Sequence, residues 1–205
     1  MTTAQPPSAG NDRAANSRSA NNTAQDIALI AVFAAITIAL GFVALPVGGF
    51  GVPLVLQNAS VILAGLVLGR RRGLAAAAVF LLIGLALPVL AGGRTVISAL
   101  GGTTVGYLVG YLVSAWVAGA IAYLAPFKNN RAVTVLILIL AAFVALFFQY
   151  LFGVFGLMWR ADLDFVAAWE AQLPFMGPDA VKVGIMVAVA AAVHAAFPDL
   201  RRGSK

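Results

Sequence analysis

The chain has 205 residues, enough for one domain, and 62% of them are hydrophobic. Its mean hydropathy of +0.99 is far above what the core of a soluble protein can bury, which indicates that lipid surrounds most of the chain. The net charge of +6 does not indicate nucleic acid binding, because the basic residues gather between or beyond the apolar runs. Zero cysteines exclude disulfides, thiolate metal sites and a cysteine nucleophile.

The chain divides into a polar tail, a membrane domain and a short basic tail. Residues 1–25 contain no apolar run and predict a disordered cytoplasmic tail, and residues 199–205 form the basic tail. Between them, in residues 26–198, apolar runs recur that are long enough to cross about 30 Å of hydrocarbon as helices. They predict an all-α integral membrane protein with six transmembrane helices, at residues 27–45, 54–69, 74–90, 103–125, 132–157 and 178–197.

The basic residues predict the orientation in the membrane. Ten of the thirteen fall on one side of the predicted helices, so we expect that side and both termini in the cytoplasm. The expected location of the chain is a bacterial-type cell membrane. The other three, Arg94, Arg160 and Lys182, fall on the outer half. The ten are Arg13, Arg18, Arg70, Arg71, Arg72, Lys128, Arg131, Arg201, Arg202 and Lys205.

Prolines support the helix boundaries. Pro53 and Pro178 lie where the first turn of a helix needs no amide donor, and no proline is predicted inside a span. The segment LPVGG (residues 45–49) is similar to LPVLAGG (residues 87–93), and each follows an outward-running helix. Two interpretations stay open: a pair of similar outer loops, or the ordinary turn chemistry of proline and glycine.

Asp179 and Lys182 are the most informative polar residues. They lie three residues apart, which places them on one face of the last helix, inside the edge of the bilayer. Ionisable residues in a span usually face a cavity, where a carboxylate accepts ligand N–H groups and an ammonium donates to a carbonyl or carboxylate. The alternative is a lysine that extends outward to the interface and an aspartate that complements the helix dipole.

Other candidate ligand contacts precede this pair in the chain. Arg94 follows Gly92 and Gly93 in an outer loop, where glycines permit close approach of the backbone and a guanidinium can bind a carboxylate; the alternative is a loop arginine that sets topology. Gln57 and Asn58 contact either a ligand or a neighbouring helix. Tyr107, like Tyr111 and Trp116, is either a pocket residue or an aromatic anchor at the interface.

Small residues at four-residue spacing indicate close helix contacts. They occur in Gly65-x-x-x-Gly69-x-x-x-Gly73 and in Gly102-x-x-x-Gly106-x-x-x-Gly110, and both patterns predict helix packing. Ala31 and Ala35 form a similar stripe in the first predicted span, although alanine is common in this chain.

The motifs that are missing narrow the class of protein. No G-x-x-x-x-G-K-[ST] phosphate loop occurs, so the chain is not predicted to hydrolyse ATP by that route and needs an energised partner for active transport. No G-x-S-x-G elbow or H-E-x-x-H metal helix occurs either. We therefore expect no metal, no cofactor and no enzymatic activity. The alternative is an intramembrane enzyme that acts on a small lipid-soluble substrate.

Five segments, spread over nearly the whole chain after residue 25, carry a resemblance to a known family. They are VPLVLQ (52–57), LAGLVLGRRRG (63–73), LPVLAGGR (87–94), GTTVGYLVG (102–110) and LPFMGPDAVK (173–182). In order and spacing they resemble the BioY family, the biotin-specific membrane subunits of energy-coupling-factor (ECF) vitamin importers. The chain departs from the family at Thr103 and Val105, where proline and glycine are common, which puts backbone contacts of the typical site in doubt.

The resemblance implies a six-helix substrate-binding subunit that captures biotin on the outer face. Its partners would be membrane lipid, a transmembrane coupling protein and two ATPase subunits, and a sibling subunit for thiamine or riboflavin is the nearest alternative. Docking on the coupling protein would use Ala31 and Ala35, because family members present an Ala-x-x-x-Ala stripe in the first span. The implied substrate-binding residues are Arg94, Asp179, Lys182, Gly92, Gly93, Gln57, Asn58 and Tyr107.

Overall fold

The computed structural model describes residues 9–45, 52, 54–127 and 130–201, and in these ranges every side chain except those of residues 9–21, 44–45, 199 and 201. Helices dominate, and the two short strands form one antiparallel pair. In chain order the elements are α1 (Ala9–Gly41), β1 (Ala44–Leu45), β2 (Leu54–Val55), α2 (Gln57–Ala86), α3 (Val96–Leu100), α4 (Val105–Ala122), α5 (Arg131–Ala161), α6 (Phe165–Glu170), α7 (Leu173–Ala196) and a terminal 3-10 helix (Pro198–Arg201).

The surface of the helices is that of a membrane protein. Within the described part of the chain, four helical stretches are long and apolar enough to cross a bilayer: Asn22–Gly41, Val105–Ala122, Arg131–Ala161 and Leu173–Ala196. Large apolar side chains also point outward, and Leu82, Leu136 and Val181 are each more than 60% exposed. A soluble surface rarely carries such a continuous apolar area, so the chain is an all-α multi-pass membrane protein.

α2 is bent back on itself at Gly69. This glycine has φ of 82°, outside the helical region, and three arginines follow it. A β-carbon built on Gly73 would lie 2.7 Å from the α-carbon of Gly65, whereas eight residues of straight helix would separate the two by about 12 Å. The halves on either side of Gly69 therefore run side by side in opposite directions, as the two predicted segments 54–69 and 74–90 require.

The turn leaves carbonyl groups without partners from their own helix, and other helices supply them. The Tyr123 hydroxyl donates to the carbonyl of Val67 at 2.8 Å. Nε2 of His194 lies 2.9 Å from the carbonyl of Leu66, and since a carbonyl only accepts, Nε2 is the donor. A side chain just past the end of α4 and one of α7 thereby cap the first half of α2, where the last carbonyls of a helix need partners.

Arg72 joins three segments at the same end of the helix bundle. Its guanidinium pairs with Asp26 of α1 at 2.5 Å and donates to the carbonyl of Leu200 in the terminal 3-10 helix at 2.9 Å. We call this end, with Arg70, Arg71 and Arg72, the arginine end. The opposite end, where α7 carries Asp179, is called the pocket end.

Glycines of α4 give the close helix contact that the sequence predicts. A β-carbon on Gly106 would lie 1.9 Å from the carbonyl oxygen of Phe152, so α4 and α5 approach through their backbones. Gly65 likewise faces the backbone of Ala115 in α4. Gly69, which belongs to the first predicted stripe, forms the turn in α2, where its positive φ favours glycine.

Two predicted boundaries differ from the structure. α1 begins at Ala9, so residues 9–25, predicted to be disordered, are helical. Alanine is frequent there, and propagation from a stable apolar span costs less than nucleating a new helix. α7 begins at Leu173, which makes the prediction of no proline inside a span wrong, because Pro178 lies within α7. Pro174 takes the first-turn position instead, and the buried contacts of Phe175 and Asp179 keep the helix continuous past Pro178.

Some predictions fall outside the described residues. They concern the proline and glycines of the first LPVGG segment and the helix start at Pro53, together with Lys128, Arg202 and Lys205 of the cytoplasmic charge count.

Candidate ligand pocket

A cavity of about 620 Å³, including its mouth, lies at the pocket end. The walls come from β2, the start of α2, the loop after α2, α4, α5 and α7, and they combine apolar residues with polar ones. The apolar residues include Val52, Leu54, Leu90, Leu108 and Phe175, and the polar ones are Gln57, Asn58, Arg94, Thr104, Tyr107, Tyr111, Gln149, Tyr150, Gln172, Asp179 and Lys182.

Asp179 and Lys182 form a buried ion pair in this cavity. Only 3% of Asp179 and 8% of Lys182 are exposed, so the alternative of a lysine that extends outward to the interface is wrong. The Lys182 ammonium also donates to the carbonyl of Val55 at 2.5 Å. A buried ion pair contributes little to stability after desolvation, so its presence in a cavity favours a functional role.

Asn58 and Tyr150 complete a polar cluster with this pair. The Asn58 amide nitrogen donates to Asp179 Oδ2 at 3.2 Å, and its amide oxygen accepts from the Lys182 ammonium at 3.0 Å. The Tyr150 hydroxyl donates to the same Asp179 oxygen at 2.7 Å. The carboxylate and the ammonium are thus held from α2 and α5 as well as from α7, in fixed orientations inside an apolar setting.

Gln149 anchors the backbone of Asn58 at the wall of the cavity. Its amide nitrogen donates to the backbone carbonyl of Asn58 at 3.1 Å and to the Ser114 hydroxyl at 2.9 Å. Only 1% of Gln149 is exposed. The result is a buried link between α2, α4 and α5 directly beside the charge cluster.

Arg94 reaches the cavity from the loop that follows α2. Gly92 and Gly93 have φ of 74° and 70°, and the backbones of Leu90 and Arg94 pair across this turn. Arg94 Nε donates to the carbonyl of Ala91 at 3.1 Å, and its terminal nitrogen lies 3.5 Å from the Thr104 hydroxyl. A guanidinium has five N–H donors, so donors remain for an anionic group in the cavity.

The remaining predicted site residues have different surroundings. Gly92 and Gly93 are exposed and shape the loop without lining the cavity. Gln57 touches the cavity, but its amide nitrogen donates to the carbonyls of Thr37 at 3.1 Å and Val89 at 2.9 Å, which is the helix-linking role of the two alternatives. Tyr107 lines the cavity, and its hydroxyl donates to Gln172 Oε1 at 2.6 Å.

Four polar residues of the cavity were missed in the prediction of the site: Thr104, Gln149, Tyr150 and Gln172. A signal existed for two of them. Gln149 and Tyr150 are adjacent polar residues in the otherwise strongly apolar middle of α5, where a polar side chain must find a partner. Of the two aromatic residues for which a pocket role and an anchor role were both open beside Tyr107, Tyr111 lines the cavity, whereas Trp116 is 45% exposed and does not.

Ala31 and Ala35 lie on the exposed side of α1. The opposite side of the helix packs inward through Ala34 and Thr37, which are 2% and 3% exposed. Thr37 accepts a hydrogen bond from Ser60 of α2 through its hydroxyl oxygen, at 3.0 Å. The small-residue stripe therefore lies on the surface of the bundle.

The fold and the cavity define a membrane protein that holds a small polar ligand among its helices. Sequence comparison makes the class specific: the chain belongs to the BioY family, which it matches over residues 13–199. The biotin transporter BioY of Rhizobium etli is 34% identical over 181 residues, covering 85% of this chain and 95% of that protein. The biotin transporter BioY of Rhodobacter capsulatus is 39% identical over 180 residues, covering 81% and 91%.

A solved structure has the same fold. The crystal structure of the S-component for biotin from an ECF-type ABC transporter superposes with a TM-score of 0.76, at 25% sequence identity. The match covers 85% of this chain and 93% of the other. Fold, family and cavity thus agree with the resemblance carried by the five sequence segments.

Proposed function

We propose that this chain is the substrate-binding membrane subunit of a biotin importer of the ECF type. The buried Asp179–Lys182 pair inside a cavity, in a chain of the BioY family, carries the proposal. The relatives are named as biotin transporters, and the solved structure is an S-component for biotin. The chain captures the vitamin, and ATP hydrolysis takes place in partner subunits.

The chemistry of the cavity suits the groups of biotin, and it also suggests how the ligand lies. Asp179 is an acceptor only, so it pairs with an N–H donor, and the ureido ring of biotin has two. The second N–H of the Asn58 amide then faces the ureido carbonyl, while the three donors of Lys182, taken by Val55, Asn58 and Asp179, keep the carboxylate and the amide in place. The carboxylate of the valeryl tail faces Arg94, whose guanidinium has donors left. Leu90, Leu108 and Phe175 among others give apolar walls to the fused rings.

The proposed topology has six membrane-spanning segments with both termini in the cytoplasm. Each half of α2 forms one span, and α1, α4, α5 and α7 form the other four. The excess of basic residues at the arginine end supports a cytoplasmic location for that end, so the cavity opens toward the outer face. In this arrangement residues 1–25 and 199–205 lie on the cytoplasmic side, and residues 26–198 form the membrane domain.

We propose that the exposed stripe of Ala31 and Ala35 docks on a transmembrane coupling protein, which assembles with two ATPase subunits. Small side chains let a partner helix approach closely in lipid, where packing drives association. Ala31→Trp and Ala35→Trp are expected to leave biotin binding intact and to abolish co-purification with the coupling subunits. Ile36→Trp, which changes a different exposed face of α1, is the matched control and is expected to assemble normally.

Uptake in cells tests the proposed function. Cells that require external biotin and express the coupling subunits are expected to accumulate labelled biotin only when this chain is present. Lys182→Ala is expected to abolish that uptake at low biotin concentration, because Asp179 and Asn58 lose the buried ammonium that orients them. Biotin uptake that does not depend on the chain contradicts the proposal. Biotin uptake that thiamine or riboflavin inhibits as strongly as unlabelled biotin does also contradicts it.

A further inference from the structure

A second cavity lies at the arginine end, between the start of α5 and the last turns of α7. It has a volume of about 660 Å³ including its open mouth. Ala191, His194 and Ala195 of α7 line it, and the two alanines, four residues apart, present only methyl groups beside the histidine. The two helices therefore leave a crevice between them, separated by the length of the bundle from the candidate biotin pocket.

The crevice has mostly apolar walls and is basic at one end. Phe127 and Val135 line it together with the two alanines, and Arg131, the first residue of α5, lies at the basic end. Thr134 and His194 are the other two residues of the lining. No acidic side chain belongs to the lining among the described residues. A chemical group that fits this arrangement has an anionic part for the guanidinium and an apolar part for the walls.

The mouth of the crevice opens on the lipid-facing side of the bundle. Arg131 and Ala195 are exposed, and Val135 is 40% exposed. Leu136, the next residue on α5, is 65% exposed and belongs to the apolar surface that faces the acyl chains. A ligand that enters from this side comes from the bilayer, near the level of its headgroups.

We propose that this crevice, between Arg131 of α5 and the Ala191–Ala195 segment of α7, binds one anionic phospholipid of the cytoplasmic leaflet. The phosphate lies against the Arg131 guanidinium, and the first part of an acyl chain lies along Phe127 and the two alanines. Basic pockets between transmembrane helices on the cytoplasmic side bind anionic headgroups in this way. The choice of leaflet rests on the proposed orientation of the chain.

Native mass spectrometry of the purified full chain, titrated with phosphatidylglycerol or phosphatidylcholine of identical acyl chains, tests the proposal. The wild-type chain is expected to bind one phosphatidylglycerol about fivefold more tightly than phosphatidylcholine, the factor for roughly 1 kcal/mol per arginine near the surface. Arg131→Gln is expected to remove this preference, and Arg131→Lys to retain most of it. Ala195→Trp, which fills the crevice, is expected to weaken the binding of both lipids.

Arg71→Gln is the matched control, because Arg71 is exposed at the same end of the bundle and does not line the crevice. An equal loss with this variant, or no loss with Arg131→Gln, overturns the proposal. Displacement of the lipid by inorganic phosphate at equal concentration also overturns it, since the site would then bind free anions. Biotin binding is measured on every variant and is expected to be unchanged, so that failure of the lipid site is distinguishable from failure of the biotin pocket.

Discussion

Replacing Asp179 by asparagine tests the charge cluster with the smallest change in shape. The amide keeps an oxygen that accepts from Tyr150, but it removes the negative charge that is paired with Lys182. In the bound state it also removes the strong acceptor for a ureido N–H group. Truncating one partner of a buried, hydrogen-bonded charge pair costs about 2 to 5 kcal/mol, which raises the Kd for biotin by roughly 30-fold to 4,000-fold.

The assay is isothermal titration of biotin into purified protein in detergent, with thermal unfolding measured on the same samples. Lys182→Ala is expected to weaken binding over the same range. The double variant Asp179→Asn with Lys182→Met removes both charges, so it is expected to regain thermal stability without regaining biotin affinity. Unchanged Kd values for Asp179→Asn and Lys182→Ala, on folded protein, would show that the pair is purely structural and that the ligand binds elsewhere.

Three further predictions concern the mouth of the pocket, its floor and the topology. Arg94→Ala is expected to raise the Kd for biotin about tenfold, which corresponds to the lower limit of about 1.5 kcal/mol for a hydrogen bond to a charged group. In the same titration this variant is expected to bind biotin and biotin methyl ester equally. A retained preference for the free acid would refute the contact between Arg94 and the carboxylate. Gln149→Leu is expected to weaken biotin about tenfold because Asn58 loses its anchor, whereas Ser114→Ala, which leaves that anchor in place, is expected to have a much smaller effect. In intact cells, an impermeant thiol reagent is expected to label a cysteine at position 162 and not one at position 71, and the reverse pattern would invert the proposed orientation.

The local part of the site was predictable from the sequence. Asp179 and Lys182 share a helix and lie three residues apart, so their side chains meet in almost any fold that keeps that helix. Arg94 was also found, because a charged residue after two glycines in an apolar chain is conspicuous. Both features depend on neighbours in the sequence, and the structure places all three residues in the same cavity.

The rest of the site depends on which helices are neighbours, and the sequence leaves that undetermined. Asn58 and Tyr150 reach Asp179 from α2 and α5, across 121 and 29 residues of chain. The sequence left both roles of Gln57 open, and its contacts with Thr37 and Val89 exist only because α1 and the loop after α2 lie beside it. Such pairings follow from the packing of the whole bundle.

Helix boundaries show where local rules were overridden. The prediction that Pro178 begins the last helix follows the usual preference of proline for a first turn. In the structure Pro174 holds that position, and α7 continues through Pro178 while Phe175, Asp179 and Lys182 are buried against the bundle. Tertiary contacts thus outweigh the loss of one backbone hydrogen bond. The two spans at 54–69 and 74–90 were also predicted. Gly69, however, was assigned to a helix-packing pattern, whereas in the structure it forms the tight turn between the two halves of α2.

The most direct test of the biotin-binding role is identification of the ligand that the chain retains. The protein is expressed in a medium that contains biotin, thiamine and riboflavin at equal concentrations, purified in detergent, denatured, and the released small molecules are quantified by mass spectrometry. The wild-type chain is expected to release biotin in near-stoichiometric amount, and Asp179→Asn is expected to release far less. Release of thiamine or riboflavin in place of biotin, or equal amounts of biotin from both proteins, would contradict the assignment of this pocket.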